Sequence, residues 1–122
     1  MRRALALLVV IAAAPAAVAA APHRKPTAVG VGEREWRVAL YRSEVPVGRV
    51  RFNVRNFGED GHDLAVRNRA GKVLGRLAEL RPDATGSLTV RLRRAGRYTV
   101  FCTLEGHEQL GMRATLKVRR RR

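Results

Sequence analysis

Gly96-Arg-Tyr98-Thr-Val100-Phe-Cys102-Thr-Leu-Glu-Gly-His107-Glu-Gln-Leu-Gly-Met112 decides how the rest of the chain is read. Tyr98, Val100 and Cys102 fall on one face of a period-two segment, the signature of a strand with one buried side. The strand ends at Cys102, and a short loop with Gly106 and Gly111 follows, carrying an imidazole at His107 and a thioether at Met112. Ala95-Gly96 marks a tight turn before it. Ala114, Leu116 and Val118 then alternate into a last strand.

The same periodicity extends upstream. Val50, Phe52 and Val54 alternate with Arg49, Arg51, Asn53 and Arg55, which predicts a half-buried strand with arginines facing solvent. Trp36, Val38 and Leu40 read as one face of an earlier strand, and His62, Leu64 and Val66 as one face of another. Val73 to Leu80 is a weaker candidate, Arg81-Pro-Asp a turn, and Leu88, Val90 and Leu92 a further alternating run. Short alternating runs parted by Gly, Pro and Asp, with no convincing amphipathic helix, predict an all-β protein, a small antiparallel β-sandwich.

His62 at the inward start of one strand and Cys102 at the inward end of another would meet at one end of such a sandwich. The following loop would bring His107 and Met112 back to that end. Two imidazoles, a thiolate and a weak thioether form a blue-copper ligand set. The chain has one Cys, three His and two Met, one of them Met1. Taken singly, each has a plainer reading: a small buried hydrophobe for Cys102, core packing for Met112, an exposed loop residue for His107. Together, in order and in phase, they favour a metal. His23 is not read as a ligand, because Pro22 lacks the N–H that an amino-terminal copper site would deprotonate.

Asn56-x-Gly58 leading to His62, then Tyr98-x-x-x-Cys102-x4-His107-x4-Met112, resembles the cupredoxins, at the rusticyanin and sulfocyanin end of their loop spacings. The likeness covers Glu33 to Val118. It implies a Greek-key β-sandwich with one type 1 copper ion, His62, Cys102 and His107 equatorial and Met112 axial. It also implies a one-electron carrier between redox partners, with His107 as the exit and Glu105, Glu108 and Leu110 forming the docking surface beside it. The chain departs from the pattern at Asp63, where Asn is common. An Asp63 carboxylate can accept the Thr103 hydroxyl but cannot donate, and its charge would favour oxidised copper. With four protein ligands no position stays open for substrate, so no enzyme is expected.

The remaining features place the chain. Met1-Arg-Arg, an apolar run to Ala21 broken by Pro15, and small residues before Ala20 read as a secretory signal peptide over residues 1–20. A flexible leader over 21–32, a copper domain over 33–118 and a basic tail over 119–122 would follow, with no transmembrane segment in the mature protein. The location expected is periplasmic, extracellular or at the cell envelope, and the expected state a monomer. Lys and Arg number 25 against 10 acids, a formal net charge of +15. Such a surface steers towards anionic partners. Nucleic acid is not expected, since export, few aromatics and the lack of a recognition-helix pattern oppose it. Two other functions stay open: a module that carries or delivers Cu(I), and a cell-envelope β-domain that binds an anionic partner through its arginines.

Overall fold

A computed structural model describes residues 10–20 and 23–122 of the 122-residue chain. Residues 10–20 form no regular structure and are exposed. The basic start of the expected signal peptide and Ala21, beside its cleavage point, lie outside the described residues. Among the described residues no helix is long and apolar enough to cross a membrane.

Among the described residues nine strands make two packed sheets. In chain order they are β1 Thr27–Arg34, β2 Arg37–Leu40, β3 Glu44–Pro46, β4 Gly48–Asn56, β5 His62–Arg67, β6 Val73–Leu80, β7 Thr85–Leu92, β8 Gly96–Phe101 and β9 Arg113–Arg119. One helical turn, α1 His107–Leu110, interrupts the last loop. The first sheet has the order β2-β1-β4-β7 and the second β3-β9-β8-β5-β6. The expected sandwich is present, and its sheets are mixed: β1 runs parallel to β4 and β3 parallel to β9.

The alternation read from the sequence produces the core. Val50, Phe52 and Val54 of β4 point inward, while Arg51, Asn53 and Arg55 are exposed. They meet Leu64 and Val66 of β5, Tyr98 and Val100 of β8 and Leu116 and Val118 of β9 in one cluster. Full burial of a side chain such as Phe52 or Leu64 contributes about 1.5–3 kcal/mol. β5 is buried at every position from His62 to Val66 and lies inside its sheet, between β8 and β6.

Two differences from the sequence reading sit at the N-terminal side. β1 begins at Thr27, inside the 21–32 stretch expected to be a leader. Its inward residues Val29 and Val31 alternate with Ala28, Gly30 and Gly32, and glycines ordinarily weaken a strand. A continuous parallel ladder from Thr27↔Val50 to Glu33↔Asn56 outweighs that tendency. Trp36 is not part of the inward face of β2. It lies in the turn between β1 and β2 and is 38% exposed. The tail expected from residue 119 starts one residue later, because β9 includes Arg119.

Candidate metal centre

β5 starts at His62 and β8 ends just before Cys102, so the antiparallel pair delivers both side chains to one end of the sandwich. The Cys102–Met112 loop is closed by backbone bonds. The Cys102 N–H donates to the Met112 carbonyl at 3.1 Å, and the Met112 N–H donates to the His107 carbonyl at 3.1 Å. Gly106 (φ 79°) and Gly111 (φ 125°) flank α1 in the left-handed half of backbone space, where a Cβ is costly. His107 is thereby turned back over Cys102.

Three donor atoms converge. His62 Nδ1 lies 3.3 Å from His107 Nδ1, and Cys102 Sγ lies 3.6 Å from the same nitrogen. One ligand atom from each residue falls within 4.8 Å of the others. Imidazole and thiolate bonds to a first-row metal are about 2.0–2.3 Å, so donors this close need only a small closure of the widest pair to share one ion. His62, Cys102 and Met112 are fully buried and His107 is half-buried. Burial pushes the Cys102 thiol up to about 11. A cation taking this sulfur as thiolate therefore displaces a proton.

Glu35, in the turn that also holds Trp36, sets the chemistry of His62. Its carboxylate accepts His62 Nε2–H at 2.8 Å, the Asp60 N–H at 2.8 Å and the Glu59 N–H at 3.0 Å. The Asp60 N–H chiefly, with Glu59 and His62, holds the Glu35 pKa down to about 2. An ionised carboxylate only accepts, so Nε2 is the donating nitrogen of His62 and Nδ1 is the one that faces the cluster. Gly58 makes this possible, since a Cβ there would run into the Glu35 carboxylate. Asn56 fixes the same loop. Its side-chain N–H groups bond the carbonyls of Asp60 (2.7 Å) and Leu80 (3.0 Å), and its oxygen accepts the Gly58 N–H at 2.8 Å.

Asp63 joins the two ligand segments from behind. It accepts the Thr103 N–H at 2.6 Å and the Thr103 hydroxyl. Arg76, on β6, donates to the same carboxylate through Nη2 at 2.7 Å and Nε at 3.0 Å. Burial pushes Asp63 up, but the Thr103 and Arg76 bonds together hold its pKa below the usual carboxylate value. Of the residues expected around His107, Leu110 is 57% exposed and Glu105 is exposed, whereas Glu108 is clamped by Arg67 at 2.7 and 2.5 Å. Of the two acids expected in the docking surface, Glu108 is therefore tied to Arg67 and Glu105 is the exposed one.

Sequence reasoning missed Glu35, Trp36 and Arg76. The Trp36 ring meets His107 edge-on at 4.9 Å and His62 at 6.5 Å, covering both imidazoles. Nothing in the local pattern marks the β1–β2 turn as part of the site. Only the parallel pairing of β1 with β4 brings it there.

No protein-family model matches the chain, and no curated protein sequence does. Solved structures do. An auracyanin from Roseiflexus castenholzii superposes with a TM-score of 0.63 at 15% identity, over 79% of this chain and 99% of its own. An azurin from Methylomonas sp. strain J gives 0.65 at 17% identity, over 76% and 98%. The fold is that of the cupredoxins. Auracyanin A from Chloroflexus aurantiacus, described as a "blue" copper protein, gives 0.63 at 17% identity, over 78% and 100%. This chain spans nearly the whole of each, and its three convergent donors lie at one end of the shared sandwich.

Proposed function

We propose that this chain is an exported type 1 copper protein that carries single electrons between redox partners. The observation that carries the proposal is the approach of His62 Nδ1, His107 Nδ1 and Cys102 Sγ at a buried end of a cupredoxin sandwich. In this reading His62, Cys102 and His107 would hold the copper, and Met112, buried and tied by its backbone to His107 and Cys102, would be its fourth ligand. Bound copper would supply the exchange of one electron between Cu(II) and Cu(I). The chain's own part is to fix the ligands: Glu35 sets the His62 tautomer, Asp63 and Thr103 hold the His62 and Cys102 segments together, and Trp36 shields the imidazoles. A rigid, water-poor site limits rearrangement between charge states. His107 is the half-buried ligand and the electron's exit, with Glu105 and Leu110 beside it and Glu108 held back by Arg67. Four protein ligands leave no position for a substrate, which supports a carrier and not an enzyme. Export rests on the reading of residues 1–20.

The test is an optical spectrum after adding Cu(II). A thiolate in a trigonal His2Cys field should give an intense blue colour, and Cys102→Ser should abolish it, because a hydroxyl is not an equivalent charge-transfer donor. A colourless Cu(II) complex of the unmutated chain would reject the assignment. Rapid loss of Cu(I) to a chelator of modest affinity, with sluggish electrochemistry, would instead favour a copper-delivery module.

A further inference from the structure

Strand direction sorts the charges of this molecule. β4, β6 and β8 run towards the ligand end, as does β1 in parallel with β4, while β5, β7 and β9 run away from it. Apart from the β2–β3 connection, which joins two strands running the same way, each turn between strands belongs to one end or the other. Of the ten Asp and Glu residues, Glu44 alone lies outside the ligand-end loops and the strand ends that enter them. Glu44 is held by Lys117 and Arg119, at 3.7 Å each.

The opposite end is cationic. Arg69 and Lys72 occupy the β5–β6 turn, Arg93 and Arg94 the β7–β8 turn, and Arg97 the entry to β8; all five are exposed. Among the described residues none of them pairs with a carboxylate. The chain ends add to the same pole: Arg24 and Lys25 precede β1, and the exposed run Arg119–Arg122 closes the chain. A cleft of about 290 Å³ opens between the two turns, lined by Asn68, Arg69, Arg94, Arg97 and Tyr98. Gathering like charges from segments distant in sequence opposes folding unless a counter-charge is met.

We propose that this cationic end docks on a bilayer surface bearing anionic phospholipid headgroups, holding the ligand end towards the aqueous side. The cations come from four separate segments and form a broad, exposed cap, which suits a plane of headgroups better than the single track a polymer strand would follow. Val73, 50% exposed, lies at the start of β6 on the same cap. The acids at the other end are repelled by the same surface, so one orientation is favoured. The inference rests on topology and charge, not on which metal the site holds.

The core runs from Val29 to Val118, so the test uses the chain from Ala21 onward, copper-loaded and copper-free. Co-sedimentation is measured with vesicles of phosphatidylcholine alone and of phosphatidylcholine mixed with phosphatidylglycerol. Binding should appear only with the mixture and fall as salt is raised. Each cation near an anionic surface contributes roughly fivefold to partitioning. Neutralising Arg69, Arg93, Arg94 and Arg97 together to Gln should therefore cost on the order of a hundredfold or more. Neutralising Arg34, Arg37, Arg55 and Arg81, at the ligand end, removes the same charge and should cost far less. Trp36 is the single tryptophan and sits at the ligand end. Its emission should be unchanged by brominated lipid while the protein is bound. Equal losses in the two variants, quenching of Trp36, or capture by soluble polyglutamate without vesicle binding would each overturn the proposal.

Discussion

At the scale of the residue, Glu35 and Asp63 show how carboxylates beside a metal site differ in effect. Glu35 bonds a ligand directly and also ties down the loop before it. Glu35→Ala should lower copper affinity about 10–100-fold, the usual cost of losing a histidine's carboxylate partner. Glu35→Gln, which keeps an acceptor, should fall between the two, and chelator-competition titration measures all three. Asp63 alone would favour Cu(II) by about 1–3 kcal/mol at an effective dielectric near 20. The Arg76 guanidinium on the same oxygen offsets that charge. Asp63→Asn should consequently raise the reduction potential only slightly, and Arg76→Gln should lower it by unmasking Asp63. Voltammetry of both variants at low and high salt checks this; a lowered potential in Asp63→Asn would contradict it.

At the scale of the element, the Cys102–Met112 loop and the β1–β2 turn meet at Gly111. A Cβ at Gly111 would stand 2.8 Å from the Trp36 carbonyl oxygen, on a backbone with φ 125°. A Cβ at Gly106, φ 79°, would meet nothing within 4 Å. Gly106→Ala should therefore cost about 1 kcal/mol, from backbone conformation alone. Gly111→Ala should cost about 2–4 kcal/mol. It should also alter the copper spectrum, because the loop cannot shift without moving Met112. Urea denaturation with absorption spectra compares the two, and equal costs would show that Trp36 does not confine the loop.

At the scale of the whole molecule, stability is coupled to pH through a group in the core. Glu33 is fully buried, and among the described residues neither carboxylate oxygen has a partner. Burial, with the Asp63 charge adding to it, pushes its pKa from 4.5 up to about 8. A raised folded pKa means the native state keeps a proton that the unfolded chain releases. The Glu33 contribution is thus intact below about pH 4.5 and is lost as pH rises through about 8. The loss amounts to roughly 2–5 kcal/mol. Glu33→Gln cannot ionise, so its metal-free form should be more stable than the parent near pH 9 and lack this descent. Thermal unfolding of the metal-free chain across that range is the measurement.

Period-two alternation alone determined the inward faces of β4, β7, β8 and β9, because each buries one side and its pattern is local. The meeting of His62, Cys102 and His107 was equally legible, since strand parity places the first two at one end and a short loop returns the third. Tertiary structure decided what depends on contacts distant in sequence. β1 hid behind alternating glycines, and its strand exists because β4 supplies the ladder. Glu35 and Trp36 reach the site through that pairing, Arg76 reaches Asp63 through β6 beside β5, and Arg67 reaches Glu108 across the loop. Composition gave the excess of positive charge but not its polarity. The polarity arises from strand direction, which gathers nearly all the acids among the ligand-end turns and leaves the turns of the opposite end without any.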